Sequence, residues 1–314
     1  MPDRIWLALL ALLALGACRM AAGEPGKVTA VRLPSAEVPA RLGELEVLGA
    51  FELRSPDRLF GGISAARFDG QRLLLLSDRS HLFEIEWPGE ADEDGWAAAI
   101  LGRRYLQSGA GQALDAEALV VRPDHGLLVA DESGNQIDAF APGESRSTAV
   151  FWRPPQPFQS GAAINQGVES LTTLPDGTLL AIGEGSDGRP GDHPAALLPE
   201  SGMARIGAYQ GDLRLDPADA AAAGGWLLVL ERGVSLLTGW RCRIVAVPLA
   251  QVGAGPVLVP RGRELATISG ASGENYEALA VKPDPDGGFD LILVSDDNFS
   301  PLQRTLLLEL RWRP

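Results

Sequence analysis

A phrase recurs five times along the chain at intervals near fifty residues, and no other feature narrows the fold as far. Each copy opens on a small or acidic residue, continues as an apolar strand, turns on Pro, Asp or Gly, returns as a second apolar strand and closes on an acidic residue. The copies begin at Ser64, Glu117, Glu169, Asp219 and Glu277, separated by 53, 52, 50 and 58 residues. A period of this length marks an array of units, none of which can bury its own faces alone. Further β-like segments follow each phrase, for example residues 82–87 and 97–106, and four short strands per unit describe a propeller blade. The expected fold is all-β, a β-propeller of five blades, with room for a sixth in the degenerate stretch 185–215. The last copy ends in the strand-like residues 305–310, while residues 45–53 form a strand with no copy of its own. Pairing of those two is expected to close the ring.

The period also predicts where the carboxylates lie. In the second copy the turn centres on Asp124, so Glu117 and Asp131 should face each other at the open end of the hairpin. Ser64 opposes Asp78, Asp219 opposes Glu231 and Glu277 opposes Asp296 in the same way, and Glu169 with Glu184 comes close to it. Because first strands line a propeller axis, these residues are expected to converge on one channel mouth. Crowded carboxylates repel unless a proton or cation sits among them. A ring of hard oxygens from Glu117, Glu169, Glu277, Asp131 and Asp296, with Asn165, Asn275 and Asn298 nearby, suits calcium. Taken singly, each acid also reads as a strand-end residue that caps backbone amides.

The first residues read as an export signal: one positive charge at Arg4, an apolar run over 5–15, then Gly16-Ala17-Cys18. The run is too short to span a bilayer. Leu15-Gly16-Ala17-Cys18 resembles the lipobox of bacterial lipoproteins, which makes Cys18 the expected lipidation site and residues 1–17 the signal peptide. Residues 18–40, with several Gly, Pro and Ala, read as a flexible spacer, and residues 41–314 as the propeller. The expected location is the cell envelope, lipid-anchored, with the domain in the periplasm or at the cell surface. Arg19 follows the cysteine instead of an aspartate that would resemble an inner-membrane retention signal, which favours the outer membrane. With Cys18 used, only Cys242 remains, so no intramolecular disulfide is expected. A formal net charge of −14 argues against nucleic acid as a partner and against direct electrostatic adsorption to anionic lipid. A monomer is expected.

Several chemistries find no support. There is no G-x-S-x-G elbow, and Gly270-Ala271-Ser272-Gly273 has the wrong spacing for one. His81, His125 and His193 lack zinc-ligand spacing and read as surface or turn residues, His125 on the face opposite the carboxylates.

Residues 61–79, 115–132, 165–184 and 226–233 resemble the phytase-like domain family, described as having esterase-like activity of phytase. So does Asn275-Tyr276-Glu277 with Ser295-Asp296-Asp297-Asn298-Phe299-Ser300 and Gln303-Arg304-Thr305. The resemblance covers almost all of the expected domain and implies a propeller related to calcium-dependent phytases, acting on phosphate esters. It carries no residue roles onto this chain. Two function classes follow. In the first, calcium bridges the acidic face to a phosphorylated small molecule, with Arg79, Arg232, Arg304 and Asn275 as substrate-binding residues and no assigned catalytic residue. In the second, the same face binds a ligand or envelope partner without catalysis.

Overall fold

The computed structural model describes residues 26–88, 94–155, 167–185, 189–235, 237, 239–255, 257–269 and 273–314. Among them are five blades of four antiparallel strands. Blade 1 comprises Ile63–Asp69, Arg72–Ser77, His81–Glu86 and Gly95–Tyr105. Blade 2 comprises Ala116–Val121, Leu127–Asp131, Gln136–Phe140 and Ala149–Trp152. Blade 3 comprises Val168–Thr173, Leu179–Gly183, Asp192–Leu198 and Arg205–Gln210, with the short strand Val257–Val259 added in parallel at its edge. Blade 4 is built from Asp216–Ala223, Trp226–Ser235, Gly239–Pro248 and Arg263–Ser269. Blade 5 takes Tyr276–Pro283, Phe289–Ser295 and Leu306–Trp312 from the C-terminal end and Leu45–Arg54 from the N-terminal end. The stretch 185–215, which left room for a sixth blade, supplies the two outer strands of blade 3 instead.

The ring closes as the unpaired strand near the start requires: Leu308 pairs with Ala50 and Leu306 with Glu52. A second closure lies outside it. Lys27–Arg32, part of the segment read as a flexible spacer, is a strand that pairs with Leu45–Arg54 of blade 5 on one side and Gly95–Tyr105 of blade 1 on the other. The propeller therefore begins at residue 27 and not at 41; the alternation of exposed and buried residues in Lys-Val-Thr-Ala-Val-Arg, with Val28 and Ala30 buried, is what docks it.

The core is not one mass but five wedges, one between each pair of neighbouring blades. Leu74, Leu76 and Leu119 fill the wedge between blades 1 and 2, Leu171 and Ile137 that between 2 and 3, Ile182 and Val229 that between 3 and 4, Leu230 and Leu293 that between 4 and 5, and Val294 and Leu75 that between 5 and 1. Each inner and middle strand is thus covered on both faces, which is why they read as continuous apolar runs. Each fully buried Leu, Ile or Val contributes about 1.5–3 kcal/mol. The five innermost strands pack side by side in a closed cycle around the axis. They all start at the same end, where the second strands finish, and that end is the mouth. Cys242 is free and fully buried, and burial pushes its thiol up to about 12. No helix among the described residues is long and apolar enough to cross a membrane.

Candidate metal centre at the propeller mouth

Every innermost strand carries a bulge one or two residues from its start. In blade 2, Ala116 pairs with Asp131 and Ala118 with Ala130, so Glu117 is the extra residue without a partner. The same break falls on Ser64, Glu169, Ala218 and Glu277. A bulge bends the strand and re-aims the extra side chain, here at the mouth. Above it, the residue that follows the second strand in blades 1, 2, 3 and 5 turns in, and Arg232, within Trp226–Ser235, takes the equivalent place in blade 4. The backbone N–H of Asp78 reaches Gly62, that of Glu132 reaches Asp115, that of Glu184 reaches Gly167 and that of Asp296 reaches Asn275, while Arg232 pairs with Asp216. Two tiers result: Ser64, Glu117, Glu169, Ala218 and Glu277 below, and Asp78, Glu132, Glu184, Arg232 and Asp296 above.

Most of these side chains line one cavity of about 220 Å³, together with Asp115 and Asn298. Eight of its ten lining residues are carboxylates and one, Arg232, is a cation. Carboxylate oxygens of Asp115, Glu117 and Glu132 lie within 4.8 Å of one another, close enough to share one metal ion. Arg232 donates toward Glu277 Oε1 at 3.1 Å, and Asn275 Nδ2 donates to the same oxygen at 2.7 Å.

The crowding appears in the proton affinities. Burial, then the charges of Glu169, Glu277, Asp115 and Glu132, hold Glu117 well above the usual carboxylate range. Glu169 is raised likewise by burial and by Glu184, with Arg232 partly opposing. Burial and the neighbouring Asp115 and Glu184 push Glu132 up to about 7, and burial with Glu277 pushes Asp296 up to about 8. Burial alone would weaken the hold of Arg232 on its proton, but Glu277, Glu169, Glu184 and Glu117 more than offset it.

The floor of the cup is a single ion pair. Arg67 of blade 1 crosses the axis, donating from Nη1 to Asp219 Oδ2 and from Nη2 to Asp219 Oδ1, each at 2.7 Å. The same two nitrogens reach the carbonyls of Leu171, Ala220 and Leu279, so blades 1, 3, 4 and 5 are pinned at one point.

The placements settle which expected residues meet. Glu117, Glu169, Glu277, Asp296, Arg232 and Asn298 line the cup. Asn275 stands behind Glu277 as its hydrogen-bond donor. Asp131 does not face Glu117: the bulge moves it one place outward, where its Oδ1 accepts from the Asp115 N–H and the Ser133 hydroxyl and it joins the wall of a separate cavity of about 610 Å³. The mouth position belongs to Glu132, and Asp115 joins it. Asp219 is displaced by the same one-residue shift; Ala218 holds the bulge, and Glu231 is buried against Tyr209 and Arg243. Arg79 is exposed, its guanidinium 3.6 Å over the Phe299 ring and outside the cup. Arg304 is engaged by Glu37 and Glu274, away from the cup. Of the histidines, His125 is exposed in the far-side turn of blade 2, whereas His193 is buried between blades 3 and 4 and is not a surface residue. Asn165 and Cys18 lie outside the described residues. A signal for Glu132 was present in the sequence, since Asp131-Glu132 offers two acids at the strand end where Ser77-Asp78 and Ser295-Asp296 offer an acid only in second place.

Fold and cup together define a five-bladed propeller with an oxygen-rich, cation-competent mouth. The chain belongs to the phytase-like family described as "Esterase-like activity of phytase", whose model matches residues 58–299. Among solved structures it is similar to the glutaminyl cyclase of Myxococcus xanthus, at 12% identity over 85% of this chain and 95% of that one with a TM-score of 0.47. It is also similar to the PQQ-bound aldose sugar dehydrogenase of Streptomyces coelicolor, at 17% identity over 87% and 99% of the two chains with a TM-score of 0.40. Likeness this distant carries no chemistry. No curated protein matches the chain.

Proposed function

We propose that this protein is an envelope-tethered, calcium-dependent phosphoester hydrolase whose active site is the mouth. The observation that carries the reading is the convergence of Asp115, Glu117 and Glu132 opposite the one cation of the cup, Arg232. The donor set is all oxygen, as a hard divalent cation requires. In addition, Glu132 Oε1 is buried without any hydrogen-bond partner, an acceptor that a cation would satisfy. Asp115, Glu117 and Glu132 would hold the ion. Bound there, it would supply Lewis-acid polarisation of a phosphoryl oxygen and neutralise the ring.

The chain's own residues do the rest. Ala218 leaves room where other blades place a glutamate, and the Arg232 guanidinium, which lines the cavity while its Nη2 stays on Glu277 Oε1, is the one cation there that can donate to a phosphoryl oxygen. Water adds its oxygen to phosphorus as the ester P–O bond breaks; Asp296, pushed up to about 8, can give its proton to the departing alkoxide and recover one from the attacking water. The Asn298 N–H on Asp296 Oδ1, at 2.6 Å, orients that carboxyl. The Arg67–Asp219 floor closes the channel beneath, so substrate enters and leaves by the mouth. The tether is Cys18, on the strength of Leu15-Gly16-Ala17-Cys18; Cys18→Ala should abolish lipid labelling, and labelling at the wild-type level would refute it.

The test is phosphatase activity of the purified protein on phytate and simple phosphomonoesters, with calcium and with chelator. Calcium-dependent release of phosphate that falls at least tenfold in Arg232→Gln supports the reading. Calcium binding without release on any ester would make the mouth a binding site for a ligand or envelope partner.

A further inference from the structure

The mouth face carries a feature that the carboxylate cup does not use. Among the described residues, Leu213, Val234, Leu237 and Leu302 are 65%, 67%, 96% and 93% exposed, and all four sit at the mouth end. Leu213 lies in the connection from blade 3 to blade 4, Leu237 at the tip of the hairpin between Trp226–Ser235 and Gly239–Pro248, and Leu302 in the loop before Leu306–Trp312. Each of those loops joins a strand that ends at the mouth to one that starts there. On the opposite face, the loop after Asp192–Leu198 presents one comparable side chain, Met203 at 88%. The apolar tips thus form an arc over blades 3, 4 and 5. Exposed Arg214 follows Leu213, and exposed Arg241 flanks the hairpin that bears Leu237.

The arc continues to the point where the N-terminal segment leaves the domain. Lys27–Arg32 runs away from the mouth: Thr29 pairs with Arg54 at the mouth end of one outer strand, and Val31 with Gly95 at the far end of the other. The N-terminal end of this strand, with Gly26, therefore lies toward the mouth side at the seam of blades 5 and 1. From Cys18 to Gly26 there are eight peptide steps, which span at most about 29 Å. A domain of this size is roughly 50 Å across, so an anchor at Cys18 holds the seam close to the bilayer.

We infer that the mouth face docks on a lipid bilayer, with Leu213, Leu237 and Leu302 in the headgroup layer and Arg214 and Arg241 at its surface, so that the cup takes ligands presented at the membrane. Leucines at loop tips bordered by guanidinium groups match that interface, where apolar tips are buried and cationic heads stay hydrated. The tether half of the inference rests on acylation of Cys18.

The test places a single environment-sensitive fluorophore on Leu237→Cys, Leu302→Cys or Met203→Cys of the full chain; Cys242 is fully buried and stays unlabelled, and any unacylated preparation carries Cys18→Ser so that no second thiol reacts. The protein is bound to vesicles of phosphatidylethanolamine with a minority of phosphatidylglycerol carrying brominated acyl chains. Labels at 237 and 302 should be quenched severalfold more than the label at 203. Quenching at 203 equal to or greater than that at the other two positions overturns the orientation. Absence of quenching at 237 and 302, whether or not Cys18 carries lipid, overturns the docking. Mass spectrometry of the N-terminal peptide reports the anchor separately, and no arm depends on calcium or turnover, so a failed phosphatase assay leaves the inference standing.

Discussion

Replacing Arg67 with methionine should be the most damaging single change outside the apolar wedges. Asp219 has a side chain only 1% exposed and Arg67 one 12% exposed, so the pair is sealed from solvent on the axis. The methionine keeps much of the side-chain volume but removes every donor. It leaves a buried carboxylate whose remaining contacts are the backbone N–H groups of Ala220 and Leu279, and it strips the Leu171, Leu279 and Ala220 carbonyls of their partner. Removing one member of a buried pair costs about 3–5 kcal/mol, and each orphaned carbonyl adds to that unless water enters. At about 2–4 °C per kcal/mol for domains of this order, the melting temperature should fall by on the order of 10 °C. Arg67→Met with Asp219→Asn removes the uncompensated charge and should recover more than half of the loss, a coupling that a thermal or urea double-mutant cycle measures directly. A single-mutant loss below about 1 kcal/mol, the range of an exposed pair, would show that the floor is hydrated, and the closed-cup argument would fall with it.

Calcium should raise the melting temperature in a concentration-dependent way, and Glu117→Gln or Glu132→Gln should remove most of that gain while exposed Glu200→Gln leaves it intact; calorimetry with and without chelator decides, and undiminished gain in the glutamine variants would rule out that cluster. The pH dependence has a definite sign. Glu132 and Asp296 hold protons more tightly folded, at about 7 and about 8, than at their ordinary 4.5 and 3.8, so their contribution to metal-free stability is intact below pH 4 and is lost as pH rises toward 8. Calcium held by Asp115, Glu117 and Glu132 must displace the Glu132 proton, so its stabilising effect should grow between pH 5 and 8; a flat effect across that window would refute the assignment. Gly62, at φ +60°, would put a Cβ 2.3 Å from Phe299 and 2.5 Å from Asp78 Oδ1, so Gly62→Ala should cost about 1–3 kcal/mol, read by urea denaturation, and should weaken the upper tier at Asp78.

Local signals in the sequence were sufficient for the architecture. A repeated strand-turn-strand phrase and one unpartnered strand at residues 45–53 specify five blades and their closure, because a blade must bury two faces and an unpaired edge must find one. The carboxylates at 117, 169, 277 and 296 could be placed at the mouth because hairpin ends are a matter of counting from the turn. That counting failed by one residue at Asp131 and Asp219. Each bulge inserts a residue that pairs with nothing, and in strands buried on both faces no polar alternation exists to reveal the slip. The apolar-polar alternation of residues 27–32 was visible, but only the two edges that receive that strand make it part of the propeller. Contacts across the axis left no trace in the sequence at all: Arg67 meets Asp219 over a separation of 152 residues, and four blades must close before those charges share one point. The two sets of groups at the mouth, carboxylates from blade 2 and a guanidinium from blade 4, come together for the same reason. They are products of ring closure, which no window of sequence contains.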